Sequence, residues 1–144
     1  MEYDLTVSAE LTNLPAIREF IQKMAREVCK DDHFSYDLTL AVDELVTNII
    51  VHGYQGKSGK IVIHAQPEPP DLYIMIKDRA RPFNPTLVES PDIHLPLEER
   101  RVGGLGIYMA RTLTDDMTYR ALPNGGNEIK VYKRCPESAR LADD

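Results

Sequence analysis

Glu44 and Asn48 lie four residues apart in the run LAVDELVTNIIVHGY, a carboxylate and a carboxamide that an α-helix would stack one above the other on one face. Asp78 ends the alternating stretch DLYIMIKD and offers a second carboxylate at a strand end. Gly103, Gly104 and Gly106 open an apolar helical stretch, where free backbone N–H groups and the helix dipole favour an anion. Such groups suit one kind of ligand. An amide oxygen helps hold Mg²⁺, the metal bridges phosphates, and a carboxylate accepts from the amino group of a base. Each feature also has a plainer reading: Glu44 and Asn48 as a solvated helix face, Asp78 as a turn former, the glycines as ordinary loop residues. The chemical reading rests on all of them occurring in one chain.

The surrounding periodicities say what would position these groups. Residues 2–7 alternate, with Tyr3, Leu5 and Val7 on one side, as in a half-buried strand. A helix is expected from Asn13, with Pro15 in its first turn and Leu14, Ile17, Ile21, Met24 and Val28 on its core face. The second helix is predicted over 36–51, capped by Ser35 and closed by Gly53, with Leu38, Val42, Leu45, Val46 and Ile49 facing the core. Strands are expected over 60–66 and 71–78, joined at Pro67-Glu68-Pro69-Pro70, and again near 117–122 and 128–134 around a turn at Pro123–Asn127. Residues 79–102 form a long connection with no period, read as a lid, and a helix follows from Ile107 to about Thr114. This order predicts an α+β two-layer sandwich, a mixed or antiparallel sheet covered by helices on one face. One domain spanning 1–135 is expected, with a loose tail over 136–144.

Charge and composition exclude several classes. The chain of 144 residues has a net charge of −6, which argues against a nucleic-acid binder. No apolar run is long enough to cross a membrane, and the acidic start MEYDLTVSAE lacks a signal-peptide pattern, so a cytoplasmic protein is expected. Cys29 and Cys135 are far apart and outside any CxxC pattern, and reduced thiols are the expectation. The histidines His33, His64 and His94 show no metal-ligand spacing, and His52 reads as a helix-end cap.

Taken together, LAVDELVTNIIVHGY resembles the N-box of the GHKL ATPases, DRARPFNP their first glycine box and RRVGGLGIYMARTLTDDMTY their second. The pattern is most similar to the small bacterial anti-sigma-factor serine kinases, over about residues 5 to 134. The resemblance implies that Asn48 coordinates Mg²⁺ and through it the phosphates of ATP. It implies that Glu44 is the general base for a substrate serine hydroxyl, a role suited to a carboxylate beside the metal. By the same resemblance Asp78, with Ala80 beside it, holds the adenine amino group, and Gly103-Gly104-Leu105-Gly106 closes over the phosphates. An anti-anti-sigma-type protein would be the substrate, a sigma factor a second partner, and a homodimer the assembly, formed through the sheet face away from the nucleotide.

Two positions depart from the family pattern: Ala80 replaces a glycine, and Asn84 stands where aspartate is common. Glycine would allow close approach of a base or an unusual φ, so Ala80 bears on nucleotide affinity. A competing reading is a nucleotide-dependent regulatory binding module without phosphotransfer, against which the presence of Glu44 weighs. A histidine-kinase catalytic fragment would need a phospho-accepting histidine helix, and no segment here resembles one. Arg100, Arg101 and Arg111 are near enough in sequence to reach a terminal phosphate, but their spacing assigns none of them.

Overall fold

A computed structural model describes residues 2–87 and 104–141, the side chains of 104 and 105 excepted. The strands β1 (Tyr3–Ser8), β2 (Lys60–Glu68), β3 (Asp71–Asp78), β4 (Asp116–Ala121) and β5 (Asn127–Arg134) form one five-stranded sheet in the order β1-β2-β3-β5-β4. Every pairing is antiparallel. Helices α1 (Leu14–Arg26), α2 (Asp32–Asn48) and α3 (Gly104–Thr112) complete the expected α+β architecture.

Alternation decides which face the helices cover. Ile61, Ile63 and Ala65 of β2, Leu72, Ile74 and Ile76 of β3, and Ile129 and Val131 of β5 are all buried on one side. They meet Leu38, Val42, Leu45 and Val46 of α2 and Ile17, Ile21 and Met24 of α1, the residues that their helical spacing sets on one stripe. Burying each such side chain contributes about 1.5–3 kcal/mol. The opposite face carries residues such as Val62, His64, Tyr73, Lys77, Lys130 and Tyr132, which are only half-buried or exposed. Among the described residues no helix is long and apolar enough to cross a membrane.

The second helix differs from expectation at both ends. Asp31, not Ser35, is its N-cap, and the Asp31 carboxylate accepts from the His33 N–H at 2.9 Å. At the other end the chain passes through Gly53 in a π-helical turn, Ile49–Tyr54, and stops at Gln55 in the left-handed region (φ 55°). The wider turn has a packing reason: it buries Ile49, Ile50 and Tyr54 together. The Tyr54 hydroxyl then donates to Lys60 O at 2.6 Å and accepts from the Arg79 N–H at 2.8 Å. A 3.6-residue period does not reveal such a turn.

The expectation of free thiols is also corrected. Cys29 and Cys135 are joined in a disulfide, with Cα atoms 5.5 Å apart across a sequence separation of 106. The pairing follows from the fold, which brings the turn after α1 beside the end of β5. The same junction engages the residues beyond β5. Lys30 N–H donates to Ala139 O at 2.8 Å, Arg140 Nε donates to Cys135 O at 3.1 Å, and Cys29 and Arg140 form an isolated β-bridge.

Candidate functional site

Glu44 and Asn48 project from the last two turns of α2 and are half-buried. With Thr47, His52 and Gly106 they line a small cavity of about 160 Å³. Gly106 sits so close to Glu44 that a Cβ there would overlap Glu44 Oε2. The start of α3 therefore lies close against the Glu44 carboxylate, and a side chain at 106 would require the end of Glu44 to move aside. Two stretches separated by more than a lid's length in sequence thus meet at one carboxylate. Of the other glycine-box residues, Gly104 begins α3, the Leu105 side chain lies outside the described residues, and so does Gly103.

Asp78 ends β3 in phase with Leu72, Ile74 and Ile76, so its carboxylate points to the covered side and is buried. Its Oδ1 accepts from Ala80 N–H at 2.8 Å and from Asn127 Nδ2 at 2.9 Å. Its Oδ2 is buried and has no hydrogen-bond partner among the described residues. Burial pushes the Asp78 carboxyl above the usual carboxylate range, and the bonds from Asn127 and Ala80 offset part of that rise. A buried acceptor without a donor is costly, and a ligand amino group placed there would supply the missing bond.

Ala80 is buried, and its φ is not positive. The glycine that the family pattern carries here is therefore not needed for backbone conformation. The methyl is taken up by Gly53 in the π turn, where a Cβ would come 2.9 Å from Ala80 Cβ. Gly53 thus links the continuation of α2 to the Asp78 loop. Asp78 and Ala80 do not line the Glu44 cavity; they border a larger one of about 970 Å³, together with Gly53.

Asn127 is the residue that sequence reasoning missed. It is buried directly opposite Asp78 in the β3–β5 register. Its Nδ2 donates to Asp78 and, at 3.1 Å, to Arg81 O, while its Oδ1 accepts from Phe83 N–H at 2.9 Å and Tyr119 Oη at 2.6 Å. One side chain therefore fixes both the Asp78 carboxylate and the first residues of the following loop. The signal was present: Asn127 keeps the inward phase of Ile129 and Val131, and an amide on a core-facing position calls for buried partners. Of the expected 79–102 lid, residues 79–87 are described, including a 3₁₀ turn at Pro85–Leu87 where Asn84 Oδ1 accepts from Thr86 N–H and Oγ1. Arg100 and Arg101 lie outside the described residues, as does His94.

Comparisons with known proteins bear on the family and the fold. The family model described as the histidine kinase-like ATPase domain matches residues 7–133. A protein named serine-protein kinase RsbW from Bacillus mycoides (strain KBAB4) is 35% identical over 117 residues, covering 67% of this chain and 73% of the relative. Its namesake from Bacillus cereus (strain B4264) is 30% identical over the same length and coverage. Among solved structures, that of the RsbU and RsbW domains of a Mycobacterium tuberculosis protein superimposes with a TM-score of 0.65 at 18% identity. It covers 99% of this chain, and this chain spans 34% of that longer one, so the likeness concerns the fold. With a match running from the end of β1 almost to the end of β5, the chain belongs to the histidine kinase-like ATPase domain family.

Proposed function

We propose that this protein is an ATP-dependent serine protein kinase that transfers the γ-phosphoryl group to a serine on an anti-anti-sigma-type partner, and so acts as a cytoplasmic anti-sigma regulator. The observation that carries the reading is the contact between Glu44 and Gly106, with Asn48 in the same cavity. It sets a carboxylate beside a helix start suited to phosphate. Relatives named as serine-protein kinases support the reaction class.

The residues suit the roles. Glu44 would orient the serine hydroxyl and take its proton as the oxygen attacks phosphorus. The backbone at Gly104 and Gly106 would face the phosphate oxygens. Asp78 Oδ2, the orphaned buried acceptor, fits an adenine amino group, and Asn127 would hold that carboxylate in place. Among the described residues no cluster of three His, Cys, Asp or Glu side chains forms a metal cage. Mg²⁺ keeps waters and takes phosphate oxygens, and needs one protein group such as the Asn48 amide oxygen. Bound there, Mg²⁺ would offset the negative charge on the phosphates. The sigma-factor partner and the homodimer rest on the family resemblance.

The test is transfer of label from γ-labelled ATP to an anti-anti-sigma-type protein. Glu44→Gln is expected to keep ATP binding and to lower transfer by about 10²–10⁴-fold, whereas Asn48→Ala is expected to lose Mg-ATP affinity. Binding of Mg-ATP by the wild type with no labelled partner would favour a regulatory nucleotide-binding module. Unchanged nucleotide affinity in Asn48→Ala would remove the assignment of the phosphate end.

A further inference from the structure

The cavity of about 970 Å³ beside Asp78 is larger than the Glu44 site and differs from it in charge. Lys57, Lys60, Lys77, Arg79 and Arg81 line it, and among the described residues its one carboxylate is the buried Asp78. All these cations are exposed. Lys77 shares Glu128 at 3.7 Å with Arg120, while Lys57, Lys60, Arg79 and Arg81 enter no ion pair among the described residues. A chain of net charge −6 has thus gathered, among the described residues, four exposed cations without an ion pair in one concavity. Like charges crowded together repel, and a cleft lined by one sign concentrates ions of the other.

The backbone that shapes the cavity is well tied. Tyr54 holds its floor by bonding both Lys60 O and Arg79 N–H. Lys60 and Lys77 lie on the helix-free side of the sheet, because their neighbours Ile61 and Asp78 point to the covered one. The cations therefore form a strip running from the 55–60 loop across the ends of β2 and β3 to the loop after Asp78.

We propose that this strip docks an acidic segment of a protein partner. Its breadth exceeds that of a lone phosphate, and its cations sit on long exposed stems rather than in a buried grip. A run of carboxylates on an extended peptide matches both features. Single-stranded nucleic acid fits less well, since among the described residues the one aromatic side chain lining the cavity, Tyr54, is buried with its hydroxyl engaged. The strip shares no residue with the Glu44–Asn48 cavity; it borders the proposed adenine end at Asp78 and Ala80, which the test below leaves unchanged.

The test is a fluorescence-anisotropy titration of the full chain with a labelled peptide bearing a run of Asp and Glu. A matched peptide of Asn and Gln, a single-stranded oligonucleotide and inorganic pyrophosphate form the other arms. The acidic peptide is expected to bind, and to bind more weakly as salt rises. The double variant Lys57→Glu, Lys60→Glu is expected to weaken binding about tenfold. A charge-matched control, Lys23→Glu, Lys130→Glu, lies outside the cavity and is expected to leave binding unchanged. Circular dichroism establishes that both variants are folded. No binding of the acidic peptide, equal loss in the control, or stronger binding of the oligonucleotide or of pyrophosphate would each overturn the proposal.

Discussion

Asp78 is a buried carboxylate of the candidate site whose two oxygens are treated unequally. It is a carboxylate on the core side of β3, half satisfied, with Oδ2 buried and unpartnered. Because burial raises its folded-state pKa, ionising it in the native protein carries a penalty. That penalty is absent below the unfolded value and fully present once pH exceeds the raised folded value. Asp78→Asn keeps an Oδ1 acceptor for Ala80 N–H and Asn127 Nδ2 but removes the charge and turns the orphaned oxygen into a donor. At neutral pH the variant is expected to be at least as stable as wild type in urea denaturation. Its ATP affinity is expected to fall about tenfold or more, since two donors would then oppose each other. Lower stability at neutral pH with intact ATP binding would refute this account of the residue.

At the scale of elements, the site is made where α2, its π-helical continuation and α3 converge. Gly106 and Gly53 are both places where backbone or a small side chain approaches closely, one against Glu44 and one against Ala80. Gly106→Ala separates packing from catalysis. Alanine in a helix is favoured over glycine by about 1 kcal/mol, so the fold tolerates it. The new methyl pushes the end of the Glu44 side chain aside, and if Glu44 is the base, as proposed, transfer is expected to drop about tenfold or more. Thermal denaturation and phosphotransfer measured on the same sample check the split. A loss of stability without loss of transfer would mean that Glu44 is not the base. The Gly53–Ala80 contact explains how this chain accepts alanine in the first glycine box: the space is provided by the partner element, and a motif read along one segment does not record it.

Across the whole molecule, the Cys29–Cys135 bond closes a loop of 106 residues, joining the turn after α1 to the end of β5. A cross-link over so long a loop restricts the unfolded chain more than a short one. Cys29→Ser is therefore expected to lower unfolding stability by about 3–5 kcal/mol. Urea titrations of wild type and variant, with and without a dithiol reductant, provide the measurement. Reductant should bring the wild type down towards the variant and leave the variant unmoved. Equal stability of the two proteins under non-reducing conditions would show that the cross-link contributes nothing. Both sulfurs belong to buried residues, so reduction is expected to be slow unless the protein is partly unfolded.

The sequence by itself determined the element types and the helix-to-core pattern, because burial imposes periods of 3.6 and 2 that can be counted in Leu38–Val42–Leu45 or Ile61–Ile63–Ala65. It also marked Glu44, Asn48 and Gly106, whose spacing within their own segments is local. Tertiary structure decided what depends on the meeting of distant segments. The disulfide needed the ends of α1 and β5 side by side. The acceptance of Ala80 needed Gly53, and the holding of Asp78 needed Asn127 across the β3–β5 ladder. The cationic cavity likewise arises only when the 55–60 loop folds beside the end of β3. Local periodicity reports which side of an element faces the core; which residues meet across that core is set by packing in three dimensions.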